Sequence, residues 1–157
     1  MVHWCSQHIE AIIAILAVFV GPAVAIVVAK LQINASLVSA NRQAWINDLR
    51  RTLADYMGKQ VVWSHRENPV SEAERHVYVT ELEQLQSLLS RAEMLLNPNE
   101  RDHQELSTLI NLIGAELLDH PAGAGPDIAK LIGLRRQVIN ASQSIFKHEW
   151  EKIKQGK

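Results

Sequence analysis

Two kinds of hydrophobic pattern follow one another along the chain. The first is an unbroken run, Ala11-Ile-Ile-Ala-Ile-Leu-Ala-Val-Phe-Val-Gly-Pro-Ala-Val-Ala-Ile-Val-Val-Ala29, held between Glu10 and Lys30. As a helix this run reaches about 28 Å, close to the thickness of a bilayer's hydrocarbon core. A helix satisfies its own backbone, as lipid demands. The second pattern is periodic. Ile46, Leu49, Leu53, Tyr56 and Trp63 recur at three- and four-residue steps, with Gln60 taking one polar step. That spacing predicts a continuation of the first helix to about residue 66, where Asn68-Pro69 ends it.

Three further helices are predicted in the same way. Ser71-Glu-Ala-Glu74 has the form of a capping box and opens a helix over about 72–97, with the stripe Tyr78, Leu82, Leu85, Leu89, Ala92 and Leu96. Asn97-Pro98-Asn99 is a tight turn, and Asn99 is placed to cap a third helix over 100–119. Leu106, Leu109, Ile113 and Leu117 supply its buried face. His120 to Pro126 reads as a linker, and Asp127 starts a fourth helix over 127–154. Its stripe is read as Ile128, Ile132, Ile139, Phe146 and Ile153, with Leu131, Val138 and Ile145 beside it. No segment alternates with period two. The expected fold is therefore all-α: residues 1–10 as a short external tail, 11–29 as a transmembrane helix, and 30–157 as a small up-down-up-down bundle.

Length and charge narrow the function classes. The 157 residues suffice for one domain with an appendage. The 16 Lys and Arg against 17 Asp and Glu give a net charge of −1, which argues against a nucleic-acid partner. A single cysteine, Cys5, excludes an internal disulfide framework. A cleaved signal peptide normally has a basic n-region, and residues 1–10 contain no Lys or Arg. A core helix is seldom apolar on every face for five turns in a chain this small. The run is therefore read as a membrane anchor. Lys30, Arg42, Arg50 and Arg51 all follow it, so the positive-inside rule places the C-terminal bundle in the cytoplasm. Within the anchor, Ala14, Ala17, Gly21 and Ala25 form a small-residue seam along which a second copy or another membrane protein would pack.

Candidate chemistry is sparse. Glu100-Arg-Asp-His103 matches the Glu-x-x-His pair of di-iron bundles, but the positions three before His65, His76, His120 and His148 are Val62, Ala73, Leu117 and Ile145. The pair reads instead as capping and solvated surface. Gly123-Ala-Gly125 follows no strand and reads as linker rather than a phosphate cradle. No cofactor and no catalytic residue is expected. The most distinctive stretch is Asn41-Arg-Gln-Ala-Trp-Ile-Asn-Asp-Leu-Arg50. There Asn41, Arg42, Trp45 and Asp48 are candidates for partner docking, with Arg42 stacked on Trp45 and Asp48 paired with Arg51. At the other end, Trp150, Lys152 and Lys154 suit an anionic lipid surface.

That stretch, together with Leu96-Asn-Pro-Asn-Glu100, Asp102-His103 and the ending Glu149-Trp-Glu-Lys-Ile-Lys-Gln-Gly156, resembles a family of short bacterial membrane proteins. These have one N-terminal hydrophobic segment and a helical tail. The resemblance covers most of the chain and implies single-pass anchoring; it supplies no active residues. The expected role is a membrane-tethered helical interaction or scaffold module without catalysis of its own. The alternative is an oligomeric membrane-acting effector, of toxin or defence type, that perturbs the bilayer through its transmembrane helix.

Overall fold

The computed structural model describes residues 2–65, 71–118 and 125–155, with backbone alone over 2–17. Four helices follow in order: α1 (Val2–Ser64), α2 (Glu72–Leu95), α3 (Arg101–Leu118) and α4 (Ile128–Lys154). There is no strand among the described residues. The chain divides into two units, residues 42–155 and the remainder.

In the N-terminal unit the backbone is helical from Val2. Pro22 lies inside this helix and cannot donate, so the Val18 carbonyl loses its ordinary partner. Every described residue from Val18 to Val38 is exposed, Phe19 at 72%. This helix is long and apolar enough to cross a membrane, and none of its apolar stretch is buried. The side chains of Cys5, Ala14 and Ala17 lie outside the described residues.

The second unit is an up-down-up-down bundle, and its side-chain pairs fix the directions. Asp48 meets Arg91 and Lys59 meets Gln84, so α1 and α2 run antiparallel. Asn111 reaches back to Glu93, Glu116 pairs with Lys130, and Arg42 pairs with Glu149, which sets α3 against α2 and α4 against both α3 and α1. The core is built from Ile46, Leu49, Leu53, Tyr56 and Trp63 of α1 and from Leu85 and Ala92 of α2. Leu106, Ile110, Ile113 and Leu117 of α3 complete it with Leu131, Val138 and Ile145 of α4. Tyr56 is fully buried, donates its hydroxyl to the Ile110 carbonyl at 3.1 Å, and lies against Gly114. Burial, with Glu93 adding to it, pushes the phenol's pKa far up, so the hydroxyl stays protonated and keeps donating.

The helix starts follow local chemistry. Ser71 accepts from the Glu74 amide while the Glu74 carboxylate accepts from the Ser71 amide, a reciprocal capping box. Asp127 caps α4 through the Lys130 amide. The α2–α3 turn differs from expectation. Asn97, not Asn99, organises it: its carbonyl side chain accepts from the Asn99 amide and its NH2 donates to Glu100. An Asx turn at Asn97 turns the chain two residues before the position of a cap at Asn99. The hydrogen bond from Asn97 holds the Glu100 carboxyl below the usual carboxylate range, with the nearby His103, Lys152 and His148 reinforcing it against slight desolvation. The Asn68-Pro69 break and most of the 120–126 linker lie outside the described residues.

One stripe is exchanged. On α4 the core positions are Leu131, Leu134, Val138 and Ile145, with Ser142 and Glu149 in register. Of the stripe read as primary, Ile128, Ile132 and Ile139 are turned outward, 38%, 51% and 48% exposed, while Ile153 is half-buried and Phe146 packs against the core. The two stripes lie about a quarter-turn apart on one helix. Arg135 falls within the outer stripe, which bars it from a dry core unless the guanidinium finds a partner.

Candidate functional site

Several polar contacts between helices centre on residues 42–48 of α1. Four side chains of the 41–50 stretch were singled out, and three of them reach other helices. Trp45 is half-buried and donates its indole N–H to the Leu95 carbonyl at 2.7 Å. That carbonyl is among the last of α2 and has no partner within its own helix. A face of the same indole stacks on His103 of α3, with centroids 5.6 Å apart and planes inclined by 18°. His103 is buried, and its Nδ1 accepts the Asn97 amide N–H at 2.9 Å. The imidazole is therefore part of the α2–α3 turn and the packed interior, not the solvated surface that its first-turn position suggested. Its Nε2 is 3.8 Å from Glu100.

Arg42 does not stack on Trp45. Its Nε lies 3.3 Å from the Glu149 carboxylate of α4, which also accepts from Lys152 one turn on. Glu149 is buried, so the two cations keep its charge from standing alone in a region of low dielectric. Arg42 Nη1 is buried without a hydrogen-bond partner, and so is Gln43 Oε1. Asp48 pairs with Arg91 of α2 rather than with Arg51, because α2 lies against that flank of α1. Asn41 is exposed. The stretch thus ties α1 to α2 through Asp48, to the α2–α3 turn through Trp45, and to α4 through Arg42. Sequence reasoning did not find their partners Leu95, Arg91 and Glu149, which come from distant parts of the chain, and it assigned Lys152 to a lipid surface rather than to Glu149.

Two polar side chains interrupt the α1 core face. Gln60 is 1% exposed with neither amide atom paired, and the buried Thr52 hydroxyl also lacks a partner. Each such group raises the free energy of the folded state by about 1–3 kcal/mol. Further along, a groove of about 480 Å³ lies between α1 and α2, lined by Lys59, Trp63, His76, Thr80 and Gln84. Trp63 forms one wall and packs on Tyr78 at 4.4 Å.

At the C-terminal end of α4, Trp150 is exposed, with the Lys154 ammonium 5.8 Å from its ring centroid. Lys152 is turned inward to Glu149, so of the three residues assigned to a lipid surface, Trp150 and Lys154 face outward and Lys152 does not. In the N-terminal unit Gly21 and Ala25 are exposed, and a Cβ at Gly21 would meet nothing within 4 Å. No three His, Cys, Asp or Glu side chains converge on a metal-sized site among the described residues. The chain matches no family model, no curated protein and no solved structure.

Proposed function

We propose that this protein is a membrane-tethered helical interaction module. Residues 11–29 cross a bacterial inner membrane once, the N-terminal tail lies outside, and the bundle acts in the cytoplasm by binding rather than catalysis. One observation supports this most: every described side chain from Val18 to Val38 is exposed, while the bundle closes its core without any of them. An apolar surface this long is too large to leave in water, and a bilayer covers it on all sides at once. The basic flank supports the orientation, since Lys30, Arg42, Arg50 and Arg51 all follow the run.

Within the membrane the partner is a second copy or another single-pass protein, packed along Ala14, Ala17, Gly21 and Ala25. The open, exposed step from Gly21 to Ala25 supports that choice. In the bundle, Arg42, Trp45 and Asp48 serve the interaction by holding the domain together, and Asn41 is free to meet a partner directly.

Membrane fractionation and topology reporters test the reading together. The full chain should stay with membranes through alkaline carbonate extraction, and a cytoplasm-active reporter fused after Lys157 should be active. Release by carbonate would overturn the anchor. Activity confined to a periplasm-active reporter would overturn the orientation.

A further inference from the structure

The outward stripe of α4 is not an ordinary solvated face. Ile128, Ile132, Ile139, Phe146, Trp150 and Ile153 recur at three-, four- and seven-residue steps and fall on one line along the helix, with Ile153 half-buried and Phe146 leaning against the core. Ile132, Ile139 and Trp150 are each about half exposed, at 51%, 48% and 46%. Cations accompany the line throughout. Arg135 lies in it, and Arg136, Lys147 and Lys154 flank it. Arg50 of α1 reaches over the Phe146 ring at 4.9 Å. Carboxylates are fewer: Glu149 is buried against Arg42 and Lys152, and Glu151 alone shares the flank that carries Arg136, Lys147 and Lys154. The charge is segregated as well. Helix α4 carries six Lys and Arg against two Glu, whereas α2 carries five Glu against two Arg.

We propose that this face of α4 docks on an anionic lipid bilayer. The proposal rests on the membrane-tether reading for its proximity to lipid, and on the α4 surface for its chemistry. Branched apolar side chains on the centre line, long cations beside them and a tryptophan near one end match the layering of a headgroup region. There the isoleucines enter the acyl boundary, and Arg and Lys stems lie along them while their charges stay among the phosphates. An acidic protein surface would complement the charge, but it would leave the isoleucine line against polar groups. The tether also favours lipid, since a bilayer is present at high effective concentration to any domain anchored in it. Flat docking asks α1 to bend between the anchor and Arg42. In that interval the Ser36 hydroxyl donates to the Ile33 carbonyl at 2.8 Å, a local bond that loosens and bends helices.

The test uses the full chain, with Cys5→Ser, in reconstituted vesicles. A bimane label is attached to one introduced cysteine at a time: Ile139→Cys on the α4 face, Phe19→Cys in the anchor, and Glu83→Cys on α2. Lipid-borne nitroxide and aqueous iodide then quench from the two phases. With about 30% phosphatidylglycerol in phosphatidylcholine, nitroxide should lower the Ile139→Cys signal on the order of two-fold, and pure phosphatidylcholine or high salt should remove that effect. The Glu83→Cys label should stay open to iodide throughout. Combining Arg135→Glu, Arg136→Glu and Lys147→Glu should abolish the lipid quenching while helicity by circular dichroism is unchanged. The Arg135→Lys, Arg136→Lys variant should retain it. Lipid quenching at position 19 but not at 139 overturns the α4 proposal and leaves the anchor standing. Lipid quenching at 139 but not at 19 supports α4 docking and removes the anchor reading. Protection of position 139 from both quenchers means that a protein covers the face, and it overturns the proposal.

Discussion

Trp45 separates a residue that holds the bundle together from one displayed for a partner, and the two roles predict opposite results. Its indole makes two intramolecular contacts, the N–H bond to the Leu95 carbonyl and the stack on His103. Trp45→Phe keeps an aromatic ring against the imidazole and removes the donor. The carbonyl at the end of α2 then loses the indole donor, a loss of about 1 kcal/mol for a site near enough to solvent to recruit water in part. Trp45→Ala removes the ring as well. Truncating a fully buried tryptophan costs about 3–5 kcal/mol, so a half-buried one belongs near 3 kcal/mol. Of this, about 0.5–1.5 kcal/mol is the stack on His103. A fragment of residues 34–157 omits the apolar run, should be soluble and strongly helical, and suits urea titration. With an m-value of about 2 kcal/mol/M, the phenylalanine and alanine variants should lower the midpoint by about 0.5 M and 1.5 M. Adding His103→Ala completes a double-mutant cycle, and the coupling should equal the stack. If Trp45→Ala leaves the midpoint within about 0.2 M of the parent, the indole does not hold the bundle together, and the packing derived for it is wrong.

Gln60→Leu should raise the stability of the same fragment by about 1–3 kcal/mol, because both amide atoms are buried and unpaired; a destabilised variant would reveal a partner for the amide. Gly133→Ala should add about 1 kcal/mol, since a Cβ there meets nothing within 4 Å in the middle of α4, and urea titration checks it. Glu100 titrates below its ordinary range when folded, so its contribution is complete above that range and disappears as pH falls through the lower folded value. Asn97→Ala removes the principal cause, and the Glu100 midpoint followed by NMR should then rise toward that of an ordinary glutamate. Parallel pairing along the small-residue seam would bring two copies of Cys5 together on the oxidising side. Mild oxidation of intact membranes should give a disulfide-linked dimer that Gly21→Ile suppresses, and a wild type that stays monomeric on a non-reducing gel rules out this pairing.

Most of the architecture was legible because it depends on local signals. The apolar run, the Ser71 capping box and the three-and-four spacing of Leu106, Leu109, Ile113 and Leu117 each act within a few residues, and the structure has helices at all of them. What depends on tertiary neighbours was not legible. Two apolar stripes share α4, and burial chose the one containing Leu131, Leu134 and Val138. The guanidinium of Arg135 within the other stripe was the available clue. Neighbours in sequence also misled at the candidate site: Arg42 and Trp45, or Asp48 and Arg51, are close on one helix, yet Glu149, His103 and Arg91 from other helices offered better geometry. His103 was misjudged for a related reason, since a first-turn histidine is usually solvated unless a tryptophan from another helix closes over it.

The pairing of Arg42 with Glu149 has a consequence for the order of events during synthesis. Roughly a hundred residues separate them, and at about 5–20 residues per second the ribosome needs about 5–20 s to supply the second after the first. For most of that interval Ile46, Leu49, Leu53 and Tyr56 exist without the helix that completes their burial. The α2–α3 hairpin, closed by the short turn at Asn97, becomes available well before α4. Until then the apolar face of α1 has only α2 and α3 to cover it. The bundle therefore completes its core only at the end of its own synthesis, when α4 arrives with Leu131, Val138 and Ile145.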